Sequence, residues 1–267
     1  MATLVTFHAH PDDESISTGG TMTLAARAGH RVIIVTATDG AVGEVEDDFL
    51  DDGETLAECR SRELDAAAEV MGVARVVRLG YRDSGMIDTD DNEHPDSFWQ
   101  ADVEAAAARL AAVLREENAD VLTVYDDHGG YGHPDHIQVH RVGHRAAELA
   151  GTPRVYEATM NRDRIKEMAD QAREAGATDG PASEEADDAR LEEIGLPDAE
   201  ITAAVDVSSV IDTKEAAMRA HASQIGPDSW FLTLPEGAFT TYFGREWFRR
   251  TQPPVVAGDP REESVFG

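Results

Sequence analysis

Cysteine is almost missing from this 267-residue sequence, where Cys59 stands alone. That excludes an internal disulfide and any thiolate-based zinc cluster, and it fits a reducing compartment. Positive charge is also scarce: 23 Lys and Arg face 53 Asp and Glu, a formal net charge of −30. A surface so negative repels nucleic-acid phosphates and anionic lipid headgroups, so neither nucleic acid nor membrane is expected as a partner. Lysine is the rarest cation, present only as Lys166 and Lys214. With abundant alanine, this fits either a GC-rich coding bias or adaptation to high salt. No run approaches the roughly 18 apolar residues of a membrane span, and no basic-then-apolar leader is visible, so the expected location is cytoplasmic. Three motifs are lacking as well: a G-x-S-x-G elbow, a G-x-G-x-x-G loop and a phosphate-binding P-loop. Cys59 has no base near it in sequence to make it a nucleophile.

What is present is an ordinary globular balance, 41% hydrophobic and 28% charged. Short β-rich runs alternate with helical patterns. The predicted strands are Thr3–Phe7, Arg31–Ala37, Arg75–Leu79, Val121–Tyr125, Arg154–Glu157 and Ile201–Val205. The predicted helices span 15–29, 54–72, 99–117, 136–150, 162–175 and 208–224. Helix 54–72 stops at Gly72, where a left-handed cap belongs. Near-continuous apolar strands alternating with helices predict an α/β fold: a three-layer α/β/α sandwich around a mostly parallel, Rossmann-like sheet, in one domain over 1–267. Residues 161–200 are acidic and rich in Ala and Gly, read as a solvated loop or, more sharply, as a lid. The segment 226–267 is aromatic-rich: Trp230–Phe248 holds 7 of the chain's 16 aromatic residues. The expectation there is closure of the core or a subunit contact rather than a ligand platform.

Two clusters carry chemistry. The first strand runs into His8-Ala9-His10-Pro11-Asp12-Asp13-Glu14. Three carboxylates and two imidazoles within seven residues repel and desolvate one another unless a cation compensates them. The strand Val121–Tyr125 is followed by Gly129-Gly130-Tyr131-Gly132-His133-Pro134-Asp135-His136. Both clusters follow predicted strands, so both fall on the carboxyl rim of a parallel sheet, where such folds bind ligands. Two imidazoles and one carboxylate with an open fourth position suit a catalytic zinc, with ferrous iron able to take its place. A single His-Pro-Asp is an ordinary turn; two of them at one rim point to a metal.

His10-Pro11-Asp12-Asp13-Glu14 followed by Gly19-Gly20, with His133-Pro134-Asp135-His136 downstream, resembles the LmbE-like (PIG-L) zinc-dependent de-N-acetylases. That family includes the mycothiol-biosynthetic deacetylase and the mycothiol conjugate amidase. The likeness runs over about residues 3–150 and more weakly through Asp206–Gln224. Arg60-Ser61-Arg62-Glu63-Leu64 and Arg82-Asp83-Ser84-Gly85 look like segments of the mycothiol-related members. The resemblance implies His10, Asp13 and His136 as metal ligands, Asp12 as general base, His133 as electrostatic stabiliser and acid, and Tyr131 as a helper near the oxyanion. It also implies Arg60 and Asp83 as groups that bind sugar hydroxyls, although Arg60 on a helix surface would equally pair with Glu58 or Glu63. Asp135 is expected to orient His133 or to cap its helix, with orientation the preferred reading. Glu14 is expected to support the first helix, and Lys214 and His221 to be structural. His8 is balanced between a supporting role and none, and His140 and His144 read as packed or solvated histidines. The implied activity is metal-dependent removal of an N-acyl group, N-acetyl first, from a small amino-sugar substrate. The alternatives are an amidase acting on a thiol-sugar conjugate and a non-catalytic metal- or sugar-binding relative. Homo-oligomerisation is left open.

Overall fold

Strand β1 (Thr3–His8) lies at the middle of the sheet, and its inner residues Leu4–His8 are all buried. This is the computed structural model of the chain; it describes all residues except 47, 175–191, 236 and 257. The chain continues through α1 (Asp13–Ser17), α2 (Gly19–Arg27), β2 (Arg31–Thr38), α3 (Leu56–Met71) and β3 (Arg75–Tyr81). Next come α4 (Val103–Glu116), β4 (Val121–Tyr125), the short turn-like α5 (Gly129–Gly132), α6 (Pro134–Ala150), β5 (Arg154–Thr159) and α7 (Arg162–Glu174). β6 (Ala203–Asp206), α8 (Ile211–Ala220), α9 (Ala238–Phe243) and β7 (Arg245–Gln252) complete it. The seven strands are ordered β3-β2-β1-β4-β5-β7-β6.

The first five strands are parallel, with Val5 opposite both Ile33 of β2 and Leu122 of β4. Parallel neighbours need helical crossovers, and right-handed crossovers put α2 and α3 on one face and α4 and α6 on the other. The chain winds outward from β1 to β3, then returns to β4 on the opposite side of β1. The loops after β1 and β4 therefore diverge and leave a crevice between them, the switch point at which α/β sheets bind ligands. Both histidine clusters sit there. The α/β/α architecture and mostly parallel sheet agree with the sequence, as do all six expected strands to within two residues at their ends. The sixth, expected over Ile201–Val205, forms at Ala203–Asp206.

Local chemistry sets the helix ends. Thr55 and Glu58 form a reciprocal capping box at the start of α3, and Gly72 closes it at φ 76°. Asp102 accepts from the Ala105 N–H (2.8 Å), so α4 starts after it rather than at residue 99. The helix expected over 15–29 is broken at Thr18 (φ −137°, ψ 6°) into α1 and α2. Gly143, in the interior of α6, packs directly on β4: a Cβ there would lie 2.3 Å from Val124 Cγ1. Only glycine allows α6 to approach the sheet so closely, and that approach sets the height of its first turn over the rim.

The unexpected element is β7, antiparallel to both β5 and β6. Its sequence, REWFRRTQ, hides the alternation of a strand because its charges are paired: Glu246 with Lys214 (2.6 Å), Arg249 with Glu157 (2.6 Å) and Arg250 with Glu262 (2.8 Å). The aromatic segment does not close the core as expected. Phe248 alone is fully buried, whereas Trp230, Phe231, Phe239, Tyr242, Phe243 and Trp247 are half-buried. Alternation along β7 points Phe248 into the core and leaves Trp247 on the opposite side. Of the acidic stretch 161–200, residues 175–191 lie outside the described residues; α7 and Glu192–Glu200 flank them. No helix among the described residues is long and apolar enough to cross a membrane.

Candidate metal centre and active site

After β1 the backbone turns through Ala9-His10-Pro11-Asp12. Asp12 carries the turn at φ 116°, ψ −36°, a region residues with a Cβ rarely adopt. The Asp12 N–H donates to Glu14 Oε2 (2.9 Å). On the other side, Arg60 Nη2 donates to the Pro11 carbonyl (2.6 Å) and lies 3.2 Å from Asp12 Oδ1. The turn separates two adjacent carboxylates into two environments. Asp13 Oδ2 accepts from the His10 N–H (2.8 Å) and faces His10 Nδ1 (3.3 Å) and His136 Nε2 (3.4 Å). Asp12 stands beside Arg60 instead.

The second cluster is shaped by glycine and a helix cap. At Gly129 (φ 67°) a Cβ would fall 2.5 Å from His136 Cβ, so the loop after β4 can cross the ligand-bearing turn only without a side chain. His133 is the N-cap of α6: its Nδ1 accepts from the Asp135 N–H (3.1 Å), and Pro134 fills the first helical position. His136, one turn in, is stacked on the Tyr125 ring at 4.5 Å between centroids and 17° between planes. Tyr131 is 49% exposed, with its hydroxyl 3.5 Å from His136 Nε2.

Asp135 goes neither to the His133 side chain nor into a side-chain cap. Its buried carboxylate accepts from the Ser84 N–H (2.9 Å) and the Ser84 hydroxyl, and Oδ2 lies 3.3 Å from His10 Nε2. Asp83 Oδ1 is 3.4 Å from the same nitrogen. Carboxylates on one imidazole nitrogen fix the tautomer and leave the other as a ligand; here that other nitrogen, Nδ1, faces Asp13. Arg60 is buried and points inward, its Nη1 donating to the Gly40 carbonyl (2.8 Å). The surface partners considered for it are occupied elsewhere: Glu58 in the cap of α3, and Glu63 by Ser223.

The donor set fits a divalent ion. Tetrahedral N and O ligands at about 2.0–2.1 Å from a metal lie roughly 3.3–3.4 Å from one another. The separations from Asp13 to His10 and His136 are 3.3 and 3.4 Å. His10, Asp83 and His133 also approach one another, but that set would use the His10 nitrogen already turned to Asp135, and His133 is committed to its cap. Burial pushes Asp12 up to about 6, opposed by Arg60. Burial, then the neighbouring His10 and His136, lower His133 to about 3. Neutral His133 with Nδ1 accepting carries its proton on Nε2.

A cavity of about 1280 Å³ joins His10, Asp12, Asp13, Asp83, Tyr131, His133 and His136 to a wall formed by Asn161, Arg164, Trp230, Tyr242 and Trp247. Sequence reasoning placed seven of the nine site residues at this rim, those of the two histidine clusters; Arg60 and Asp83 were implied by the resemblance alone. It missed Ser84 and Tyr125, which hold Asp135 and His136, although Ser84 lies inside the Arg82–Gly85 segment already singled out. His8 is a support: its Nδ1 is 2.8 Å from the Tyr125 hydroxyl and its Nε2 3.0 Å from Thr18 Oγ1. His140 and His144 share Glu157 at 3.4 and 2.9 Å, away from the metal centre.

The family model described as GlcNAc-PI de-N-acetylase, PIG-L, matches residues 5–147. A protein of Acidothermus cellulolyticus named 1D-myo-inositol 2-acetamido-2-deoxy-alpha-D-glucopyranoside deacetylase is 42% identical, over 100% of this chain and 94% of its own. A protein of the same name from Nocardiopsis dassonvillei is 45% identical over 82% of this chain and 83% of its own. Among solved structures, the N,N'-diacetylchitobiose deacetylase of Pyrococcus horikoshii superposes with a TM-score of 0.59 at 24% identity, over 93% of this chain and 83% of that one. That last likeness is one of fold. The match over more than half the chain, together with full-length relatives at this identity, shows that the chain belongs to the PIG-L family of de-N-acetylases.

Proposed function

We propose that the protein hydrolyses the N-acetyl group of a glucosaminyl conjugate, with the inositol glucosaminide named in its relatives as the leading substrate. The carrying observation is that Asp13 Oδ2 stands 3.3 Å from His10 Nδ1 and 3.4 Å from His136 Nε2, donors from two distant turns, each separation matching the edge of a tetrahedral site. These residues would hold zinc, with ferrous iron an alternative for the same donor set. The ion would supply Lewis acidity toward the acetamide carbonyl and toward the attacking water.

The chain's own groups do the rest. Asp12, pushed to about 6, accepts the proton from water and carries it to the departing amine, a task suited to a carboxyl poised close to neutrality. His133 presents Nε2–H to the developing oxyanion as a neutral donor; its Nδ1 cap bond replaces the protonated acid expected from sequence. The Tyr131 hydroxyl, 3.5 Å from His136 Nε2, is a second donor. Asp135 and Ser84 orient His10. Asp83 is fixed by the amides of Gly85 (2.9 Å) and Val42 (3.2 Å) and lines the cavity, in reach of sugar hydroxyls. Arg60 has both terminal nitrogens on protein oxygens, which suits holding Asp12 better than holding sugar. The aromatic wall favours a substrate larger than a monosaccharide.

The test is release of acid and free amine from N-acetylglucosaminyl-inositol, N-acetylglucosamine, longer N-acyl glucosamines and a thiol-sugar conjugate, before and after chelation and with zinc or iron restored. The expected result is equimolar acid and amine, lost on chelation and regained with metal. Turnover insensitive to chelator overturns the metal-dependent reading; no turnover across the panel favours a binding relative; preference for a thiol-sugar conjugate favours the amidase.

A further inference from the structure

Asp12, in the role of base proposed above, depends on a backbone conformation that its own sequence does not favour. We propose that His221, 209 positions downstream of Asp12 in sequence, is a positioning residue for the reaction: acting through Glu14, it holds the Asp12 backbone in its left-handed turn.

His221 is fully buried at the end of α8, and its Nε2 lies 2.6 Å from Glu14 Oε1. Glu14 is likewise fully buried. Its Oε1 also accepts from Ser15 Oγ (2.6 Å), and its Oε2 accepts from the Asp12 N–H (2.9 Å). The carboxylate is thus a bridge between the end of α8 and the amide of Asp12. It does not cap α1 in the usual way, because it turns back to the residue before the helix rather than to the amides of the first turn. Among the described residues His221 Nδ1 has no partner although it is buried, so the ring's hydrogen bonding is spent on Glu14. The His221 carbonyl accepts from Gln224 N (3.0 Å) and Ile225 N (2.7 Å), which seats the ring on a fixed backbone. A conformation at φ 116° persists only where its surroundings over-determine it. Here Arg60 grips the Pro11 carbonyl on one side and the His221–Glu14 bridge grips the Asp12 amide on the other.

The test exploits the reach of two amides. His221→Gln places an amide nitrogen near the position of Nε2, whereas His221→Asn reaches only to Nδ1. Both are polar and buried, so a purely structural role would move them together. The expected result is kcat within a few-fold of the parent for Gln and lower by roughly 10²-fold for Asn, the loss that about 1 Å of misplacement brings. KM and zinc affinity, measured against a competing chelator, should be unchanged in both. In the metal-free protein, NMR of Asp-labelled amides should show Asp12 N–H exchanging about tenfold faster or more in the Asn variant and protected in the Gln variant. Equal kcat in the two variants, a loss confined to KM or metal affinity, or unchanged Asp12 protection overturns the proposal. If Asp12→Asn retains full turnover, the base assignment fails instead, and the amide exchange still reports on the bridge.

Discussion

Asp12 and Asp13 are adjacent and chemically identical, yet the turn at Asp12 sends one carboxylate to the histidines and the other to Arg60. Asp12→Asn should therefore keep its metal and lose about 10²–10⁴ in kcat, the usual scale for a general base. Elemental analysis beside kinetics checks the division of labour, and loss of metal from that variant would reverse it. His136→Ala should instead leave the purified protein metal-poor, since it removes one of three donors. His8 offers a test in pH. Burial, the dominant effect, holds this imidazole at about 4 against an ordinary 6.5. Between those values the unfolded chain binds the extra proton, so stability falls as pH drops from 6.5 towards 4, by up to about 3 kcal/mol. Urea titrations of metal-free protein at pH 7 and pH 4.5 should show a loss smaller by about 2 kcal/mol in His8→Gln, the part owed to His133, held at about 3, remaining in both; an equal loss in the variant would exonerate His8. At this scale the sequence was informative where chemistry is dense, in His10–Glu14 and His133–His136. It assigned Asp135 to His133 or to the helix cap and missed its true partner, because the link between its carboxylate and His10 spans 125 residues and depends on Ser84 from a third loop.

Beside the aromatic wall, one helix of the C-terminal third reaches the elements that carry the site: α8 contributes Lys214, and its end contributes His221. Lys214 is buried on Glu246 of β7 (2.6 Å), and Glu246 also accepts the Gly20 and Thr21 amides (2.8 Å each) at the start of α2. A carboxylate at a helix N-terminus is favourable in itself, so Lys214→Met leaves Glu246 partly compensated. The expected cost is about 3 kcal/mol, the low end for breaking a buried pair. The double variant Lys214→Met, Glu246→Gln should recover part of it, a coupling that a double-mutant cycle in urea would measure. Strict additivity of the two changes would mean the pair is not interacting. The same pairing explains why β7 is illegible from sequence. A strand is recognised by apolar alternation, and β7 carries buried charge whose partners lie on β5, on α8 and at Glu262. β1, β2 and β4 needed no such partners and were read to within one residue.

For the molecule as a whole, charge sets the conditions under which this geometry holds. With 53 carboxylates against 23 Lys and Arg, even complete pairing would leave a large excess of negative charge. Many of the arginines are already engaged, as in the Arg31, Arg75, Glu116 and Glu117 group. The excess repels itself across the surface, at distances that salt screens: the Debye length falls from about 10 Å at 0.1 M to about 3 Å at 1 M. Compaction should therefore become easier as salt rises. The melting temperature in KCl should climb steeply up to about 0.5 M and then flatten, gaining on the order of 10 °C, equivalent to a few kcal/mol for a chain of this size. Sucrose, which favours compact states by exclusion without screening charge, should give a gradual rise with no early steep phase. A flat KCl profile would remove salt adaptation as the meaning of the composition and leave coding bias. A steep one would mean that the bridge from His221 to Asp12, held by buried groups beyond the reach of screening, is set within a shell whose own stability depends on ions in solution.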